Sequence, residues 1–310
     1  MNQMTEVLKT ILPVMLMLGI GMICRQRSLI SREGIDALKT VVVNIALPAV
    51  LLNAFATMRY TFMDVAVPLL MFLVCVAAWA LGKLAAKLFH MQSRFVPFLT
   101  TGFEAGMLGY ALFQMLYGTA RISEFARVDL GQVLFVFTLY KILLGLDGKQ
   151  QANGRQLLRE MVLSPIIFAI AGGILLGATG LYQRLIPSGI SGILDACTDF
   201  ISAPTGAIIL LTIGYDLVFR DIPWKPTLQV AAVRLGIMVI LRFAFLALLR
   251  LFWPEADLTS AVNVIFILPP PFVLPVFADE PDQRVYVSSA LSVSTLIAIA
   301  GFAVFAALGI

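Results

Sequence analysis

The chain has 310 residues, of which 60% are hydrophobic and 13% are charged, and its mean hydropathy is +0.95. Soluble domains usually carry about 25% charged residues, so this sequence cannot supply the polar surface of a soluble globule. The composition also excludes disordered, coiled-coil, collagen-like and disulfide-rich proteins. An integral membrane protein remains. At about 20 apolar residues per span, the length accommodates roughly ten helices and leaves no separate soluble domain.

Rarer residues narrow the chemistry further. The net charge of +4 is spread over loops, which predicts no nucleic-acid partner. His90 lies in a polar loop without a metal-binding cluster around it. The three cysteines lie in or beside apolar segments and are interpreted as buried small hydrophobes without a disulfide or a metal: Cys24, Cys75 and Cys197. We therefore predict no cofactor.

Apolar runs bounded by charge, proline or glycine predict the membrane spans in chain order. They fall at residues 7–24, 38–58, 65–89, 95–117, 128–146, 161–182, 192–218, 227–251, 258–278 and 285–308. The first run is followed by Arg25 and Arg27 and has no cleavage site, so it is predicted to be a retained span. The longest polar stretch, residues 147–160, divides the chain into two nearly equal halves.

The basic residues of the short loops predict the orientation. Alternate loops carry twelve basic residues, namely Arg25, Arg27, Arg32, Lys83, Lys87, Arg94, Lys149, Arg155, Arg159, Arg220, Lys225 and Arg284. The remaining loops carry five, namely Arg59, Arg121, Arg127, Arg184 and Arg250. Because the side rich in Lys and Arg is cytoplasmic, both termini are predicted to lie outside, in what we expect is a bacterial inner (plasma) membrane.

The two halves of the chain share ordered proline and arginine positions. Pro13 corresponds to Pro165, Pro48 to Pro204, and Arg127 to Arg284, at offsets of 152, 156 and 157 residues. Five spans in each half place the second half upside down relative to the first. This pattern predicts an inverted-topology repeat of the kind that secondary transporters use, although chance matches of common membrane-helix residues would give a similar pattern.

The N-terminal segment carries a family resemblance. A Leu-Pro span is followed by the loop from Arg25 to Arg32 and then by the segment Asn44-Ile45-Ala46-Leu47-Pro48-Ala49. It resembles the auxin efflux carrier family, which includes plant PIN carriers and bacterial permeases named for malate or malonate. The resemblance is best over residues 7–60 and holds in outline over all ten spans.

The resemblance implies an all-α fold with a 5+5 inverted repeat, in which broken helices 4 and 9 cross near the membrane centre and bind substrate. Spans 1, 2, 6 and 7 (residues 1–60 and 161–220) would form a scaffold. Spans 3–5 and 8–10 (residues 61–147 and 221–310) would form a transport domain, with residues 148–160 as a cytoplasmic linker. The implied partners are a small organic anion, the lipid bilayer and a second copy of the chain, with close helix approach at Gly19, Gly21, Gly172 and Gly173.

Span 4 departs from the family pattern, whereas span 9 carries a pronounced break. Relatives show an Asn and a Pro in span 4, but this chain has only glycines there, between Gly102 and Gly109, so a weaker break is expected. Span 9 contains Pro269, Pro270 and Pro271, which cannot continue a regular helix. Such backbone is tolerated at membrane depth only beside protein or a water-filled cavity, so we predict a cavity at the prolines.

Charged residues inside spans are the candidate substrate groups. Glu104 is interpreted as a proton-coupled or substrate-contacting acid, or as a structural partner of an intramembrane base. Three basic residues could hold an anion or form structural ion pairs, with Arg234 preferred: Lys141, Arg234 and Arg242. The remaining candidates that line the predicted crossing are Gly106, Gly109, Asn263, Pro269, Pro270 and Pro271. Asn44 and Asp216 are interpreted as interfacial or helix-packing groups.

No catalytic constellation, nucleotide-binding loop or histidine cluster occurs, so we predict that the protein is not an enzyme or an ATP-driven pump. Three function classes remain. The first is a secondary carrier, an efflux carrier or permease that moves a small organic anion by alternating access. The second is a passive anion channel of the same architecture. The third is a degenerate transporter fold that acts as a sensor or binding protein.

Overall fold

The computed structural model describes residues 3–58, 60–147, 159, 163–217, 222–278 and 280–308. This part of the chain is all-helical and contains no strand. Its helices are α1 Gln3–Gln26, α2 Arg32–Thr57, α3 Met63–Leu88, α4 Val96–Leu99, α5 Tyr110–Tyr117, α6 Thr119–Gly145, α7 Pro165–Ala178, α8 Leu181–Leu185, α9 Ile190–Asp216, α10 Trp224–Phe252, α11 Thr259–Ile267 and α12 Pro281–Leu308.

Six of these described helices are long and apolar enough to cross a membrane by length and composition: α2, α3, α6, α9, α10 and α12. Two shorter apolar segments, Ile11–Gln26 of α1 and the whole of α7, accompany them. The described structure is therefore consistent with a polytopic membrane protein, as the composition predicts. The apolar runs 95–117 and 258–278 contain no continuous helix of spanning length, because non-helical backbone interrupts them at residues 100–104 and 268–273.

The chain divides into two compact units. Unit 1 comprises Met1–Asp64, Gly106–Ala126 and Leu158–Asp216, and unit 2 comprises Val65–Ala105, Arg127–Leu157 and Leu217–Ile310. Unit 1 contains α1, α2, α7 and α9. Unit 2 contains α10, α11 and α12 together with most of α3 and the later part of α6.

In unit 1, two glycines permit close helix packing within the chain. Helix α1 packs against the Thr205–Asp216 part of α9, and α7 packs against the Leu47–Thr57 part of α2. A Cβ atom on Gly21 would lie 2.1 Å from the carbonyl oxygen of Leu211, and one on Gly173 would lie 2.7 Å from that of Leu52. These two glycines therefore serve intrachain packing and not the subunit contact expected from the sequence.

One end of unit 1 carries a cluster of ion pairs on Asp216, the last residue of α9. The guanidinium of Arg32 donates to Asp216 Oδ1 at 2.6 Å, and the ammonium of Lys39 donates to Asp216 Oδ2. Arg32 and Lys39 also lie within ion-pair distance of Asp36. Asp216 thus joins α9 to α2 electrostatically, which a reading of single residues as interfacial groups does not reveal.

The cysteines differ from the sequence interpretation at one position. Cys24 and Cys75 are buried, but Cys197 is exposed on α9. An apolar sequence context indicates only that water is avoided. Since lipid tails are as apolar as a protein core, a side chain in such a context can lie on the outer surface of a membrane helix.

Candidate functional site

The first unwound segment comprises residues 100–104, between the end of α4 and the π-helical turn Ala105–Gly109 that leads into α5. Gly102 has a φ of +67°, which favours glycine. A Cβ at this position would also lie 2.9 Å from Pro271 Cγ. The chain therefore leaves the helix at the first glycine of this span. The break precedes Gly106 and Gly109, which belong to the π-helical turn.

The second unwound segment comprises residues 268–273. Helix α11 ends at Ile267, and Leu268 turns the chain into an extended conformation with φ −62° and ψ 151°. The three prolines that follow are buried, and proline has no backbone N–H to donate. A short 3-10 helix, Leu274–Phe277, resumes the chain.

The two unwound segments contact one another through Glu104. Its backbone N–H donates to the carbonyl oxygen of Pro269 at 2.9 Å, and its carboxylate accepts a hydrogen bond of 2.6 Å from the backbone N–H of Phe272. Glu104 therefore bonds to the second segment on both sides of the last two prolines. A hydrogen bond to an ionised carboxylate is stronger than one between neutral groups.

Arg234 holds both segments from α10. Its Nη1 donates to the carbonyl oxygen of Leu99 at 3.1 Å, and its Nη2 donates to those of Gly102 at 2.8 Å and Leu268 at 2.9 Å. The side chain is only 5% exposed, and the ring of Phe103 lies 5.5 Å from its Cζ atom. The base preferred as an anion-binding group is thus engaged with backbone carbonyls.

Other side chains bind the first segment where helical hydrogen bonds are missing. Thr101 Oγ1 donates to the carbonyl oxygen of Cys75 at 2.6 Å, and the N–H of Phe103 donates to Gln132 Oε1 at 3.4 Å. Gln132 Nε2 donates in turn to Asp129 Oδ1 at 2.9 Å. These bonds satisfy polar backbone that an apolar surrounding would otherwise penalise.

Sequence reasoning missed Asp129 and Gln132, which are 1% and 4% exposed. Asp129 stands at the start of the apolar run 128–146 and therefore resembles a residue of the membrane boundary. Helix α6 begins at Thr119 instead, so Asp129 lies well inside it. Their i, i+3 spacing, which places both on one helix face, was the available signal.

The remaining candidates occupy three other places. Arg242 donates through Nε and Nη2 to Asn263 Oδ1, at 3.0 and 2.6 Å, and Asn263 is buried. The ammonium of Lys141 lies 4.7 Å from the centre of the Phe137 ring on α6. Gly106 and Gly109 fall in unit 1, whereas the other candidates fall in unit 2. The structure thus brings together Glu104, the prolines and Arg234 in one group.

The N-terminal half of the chain decides the family. Residues 6–156 match the model of a family described as "Membrane transport protein". This segment belongs to the auxin efflux carrier family. The match confirms the resemblance seen in the sequence, and it includes the first unwound segment with Glu104. No curated protein matches the chain.

Membership of the auxin efflux carrier family indicates a membrane transporter, and it supports indirectly the expectation that the protein is not an enzyme. Within unit 2, the two unwound segments present prolines, backbone N–H groups and one carboxylate in a single place. Such a combination can bind a polar or charged group without altering any covalent bond. The chemistry available is therefore recognition by hydrogen bonding and charge.

Proposed function

We propose that this chain is a secondary transporter, an efflux carrier or permease, which moves a small organic anion across the membrane by alternating access. The observation that carries the proposal is the contact between the two unwound segments, where the N–H of Phe272 binds a carboxylate. A group that receives the carboxylate of Glu104 is chemically suited to receive that of a substrate. In many transporters, interrupted helices form the binding site in this way.

The proposed architecture has ten spans in a 5+5 inverted repeat, with the unwound segments as the midmembrane breaks of spans 4 and 9. Gly21 approaches Leu211, and its repeat counterpart Gly173 approaches Leu52, so each half contributes an equivalent glycine contact. The composition of the two units supports a scaffold of spans 1, 2, 6 and 7 and a transport domain of spans 3–5 and 8–10. The proposed linker 148–160 lies outside the described residues, apart from Arg159.

Within this site, we assign different roles to the two arginines of α10. Arg242 is partly exposed and bonds to one side chain, which makes it the better candidate for contacting a substrate anion. Arg234 is buried against backbone carbonyls, which favours a positioning role. The other proposed lining residues are those that the sequence indicated: Glu104, Gly106, Gly109, Lys141, Asn263, Pro269, Pro270 and Pro271.

The proposal is tested with purified protein in proteoliposomes and a panel of labelled mono- and dicarboxylic acids. We expect a saturable flux, and exchange of internal for external substrate, because alternating access exposes one site to each side in turn. Protein-free vesicles and the Arg250→Ala variant, which changes an exposed arginine of α10, are the controls. A conductance that does not saturate would indicate a channel, and specific binding without flux would indicate a sensor.

We also propose a homodimer in an inner membrane with both termini outside. The proposal rests on the family resemblance, since Gly21 and Gly173 are used within the chain. Mass measurement in mild detergent over a range of protein concentrations is the test. A monomer at every concentration would contradict the dimer.

A further inference from the structure

We propose that Arg234 takes the place of a bound coupling cation where the two unwound segments meet, so that transport does not require Na⁺. The consequence for transport rests on the function proposed above. The structural part, that a cationic side chain holds the two segments together, does not depend on that function.

The first reason is the set of oxygen atoms that surrounds the guanidinium. Leu99 is the last residue of α4, Leu268 follows the last residue of α11, and Gly102 lies inside the first segment. All three carbonyl oxygens accept a hydrogen bond from Arg234. Carbonyls at helix ends have no partner further along the helix, and in transporters with interrupted helices such carbonyls coordinate Na⁺. Here a side chain of the protein neutralises them.

The second reason is the chemistry of the guanidinium group. Its N–H donors lie in a rigid plane, and it remains charged under all physiological conditions. The ring of Phe103 adds a cation–π contact at 5.5 Å. A Na⁺ ion bound to the same three oxygens would meet the fixed positive charge only a few ångströms away, and this repulsion closes the oxygen cluster to a second cation.

A native cysteine provides a readout that is independent of transport. Cys75 is fully buried, and its carbonyl oxygen accepts the hydrogen bond of Thr101, the neighbour of Gly102 in the first segment. Loosening of that segment should expose the Cys75 thiol. The measurement is the rate of alkylation of Cys75 by N-ethylmaleimide, in full-length protein whose Cys24 and Cys197 are replaced by alanine.

We expect Arg234→Ala to make Cys75 react roughly tenfold faster, because three charge-assisted hydrogen bonds are lost. Millimolar guanidinium should restore the protection, whereas urea, which has a similar shape and no charge, should not. Arg250→Ala is the matched control on the same helix and should leave the rate unchanged. An unchanged rate in Arg234→Ala, or restoration by urea as well as by guanidinium, would overturn the proposal.

A second variant decides the matter if Arg234→Ala does not fold. Arg234→Gln keeps a long side chain with hydrogen-bond donors but removes the charge. We expect it to show a rate between those of the parent protein and the loosened state. Protection equal to that of the parent protein would overturn the requirement for a cation.

Transport assays separate this inference from the proposed function. In proteoliposomes that contain the parent protein, replacing Na⁺ by choline should leave the initial flux of the labelled carboxylate unchanged. A flux that requires Na⁺ would overturn the inferred consequence. A protein that transports no carboxylate in either salt would refute the proposed function, while the Cys75 measurement would still decide the role of Arg234.

Discussion

The carboxylate of Glu104 accepts a hydrogen bond of 2.6 Å from the backbone N–H of Phe272, across two unwound segments that are far apart in sequence. The same residue donates its own N–H to Pro269. Glu104 therefore occupies a donor that an incoming anion would need. This arrangement makes it an internal competitor of the proposed substrate.

The first prediction concerns this competition. We expect Glu104→Gln to bind an anionic substrate roughly tenfold more tightly, because the neutral amide no longer repels a carboxylate while its oxygen still accepts from Phe272. Lower pH should tighten binding in the unmodified protein, since protonation neutralises Glu104, and should have little effect on the variant. Equilibrium binding of labelled carboxylate across a pH series measures both effects.

The control for this variant is Glu255→Gln, because Glu255 is exposed in the turn after α10. It should bind as the unmodified protein does at every pH. Weaker anion binding in Glu104→Gln would contradict competition and would instead make Glu104 a direct contributor to substrate binding.

The second prediction compares two glycines of α1. We expect Gly21→Ala to lower the unfolding temperature in detergent, because its Cβ would lie 2.1 Å from the carbonyl oxygen of Leu211, and overpacking costs about 1–3 kcal/mol. Gly19→Ala is the matched control, since no atom lies within 4 Å of its added Cβ. Equal unfolding temperatures for the two variants would show that the contact between α1 and α9 does not need Gly21.

The third prediction concerns the ion pairs of Asp216. We expect Asp216→Asn to destabilise the protein by about 1 kcal/mol, because Arg32 and Lys39 both lose an anionic partner and all three groups are only partly buried. The loss should shrink at high salt, which screens such pairs. Thermal unfolding at two salt concentrations measures it.

Asp199→Asn, an exposed change on the same helix α9, is the control for the Asp216 variant. It should have a smaller effect at both salt concentrations. If the two variants unfold alike at low salt, the cluster contributes nothing measurable to stability.

The fourth prediction concerns membrane orientation, and it follows from the excess of twelve basic residues over five in alternate loops. We expect cysteines placed at Gln151 and Ala120, in a cysteine-free background, to react with an impermeant reagent from opposite sides. On intact cells only position 120 should be labelled. Residue 151 lies outside the described residues, so labelling is the direct measurement. Labelling of position 151 on intact cells would reverse the topology.

The sequence by itself determined the class of protein and the chemical character of its segments. Hydropathy depends on local composition, so apolar helices and a membrane protein follow without a structure. The family resemblance around Asn44 and Pro48 was likewise carried by local residues, and the family match confirms it. Pro269–271 also indicated a chain break locally, because proline cannot donate a backbone hydrogen bond.

Only the tertiary structure decided which residues meet. Arg234 had to be weighed as an anion-binding group because charge in a span is visible in the sequence, whereas its acceptors at Leu99, Gly102 and Leu268 are not. Likewise, Asp129 looked like a boundary residue until the start of α6 was known. Hydrogen bonds have directions and lengths that depend on the positions of distant backbone atoms. Local patterns therefore predict which groups need partners, and folding in three dimensions determines which partners they find.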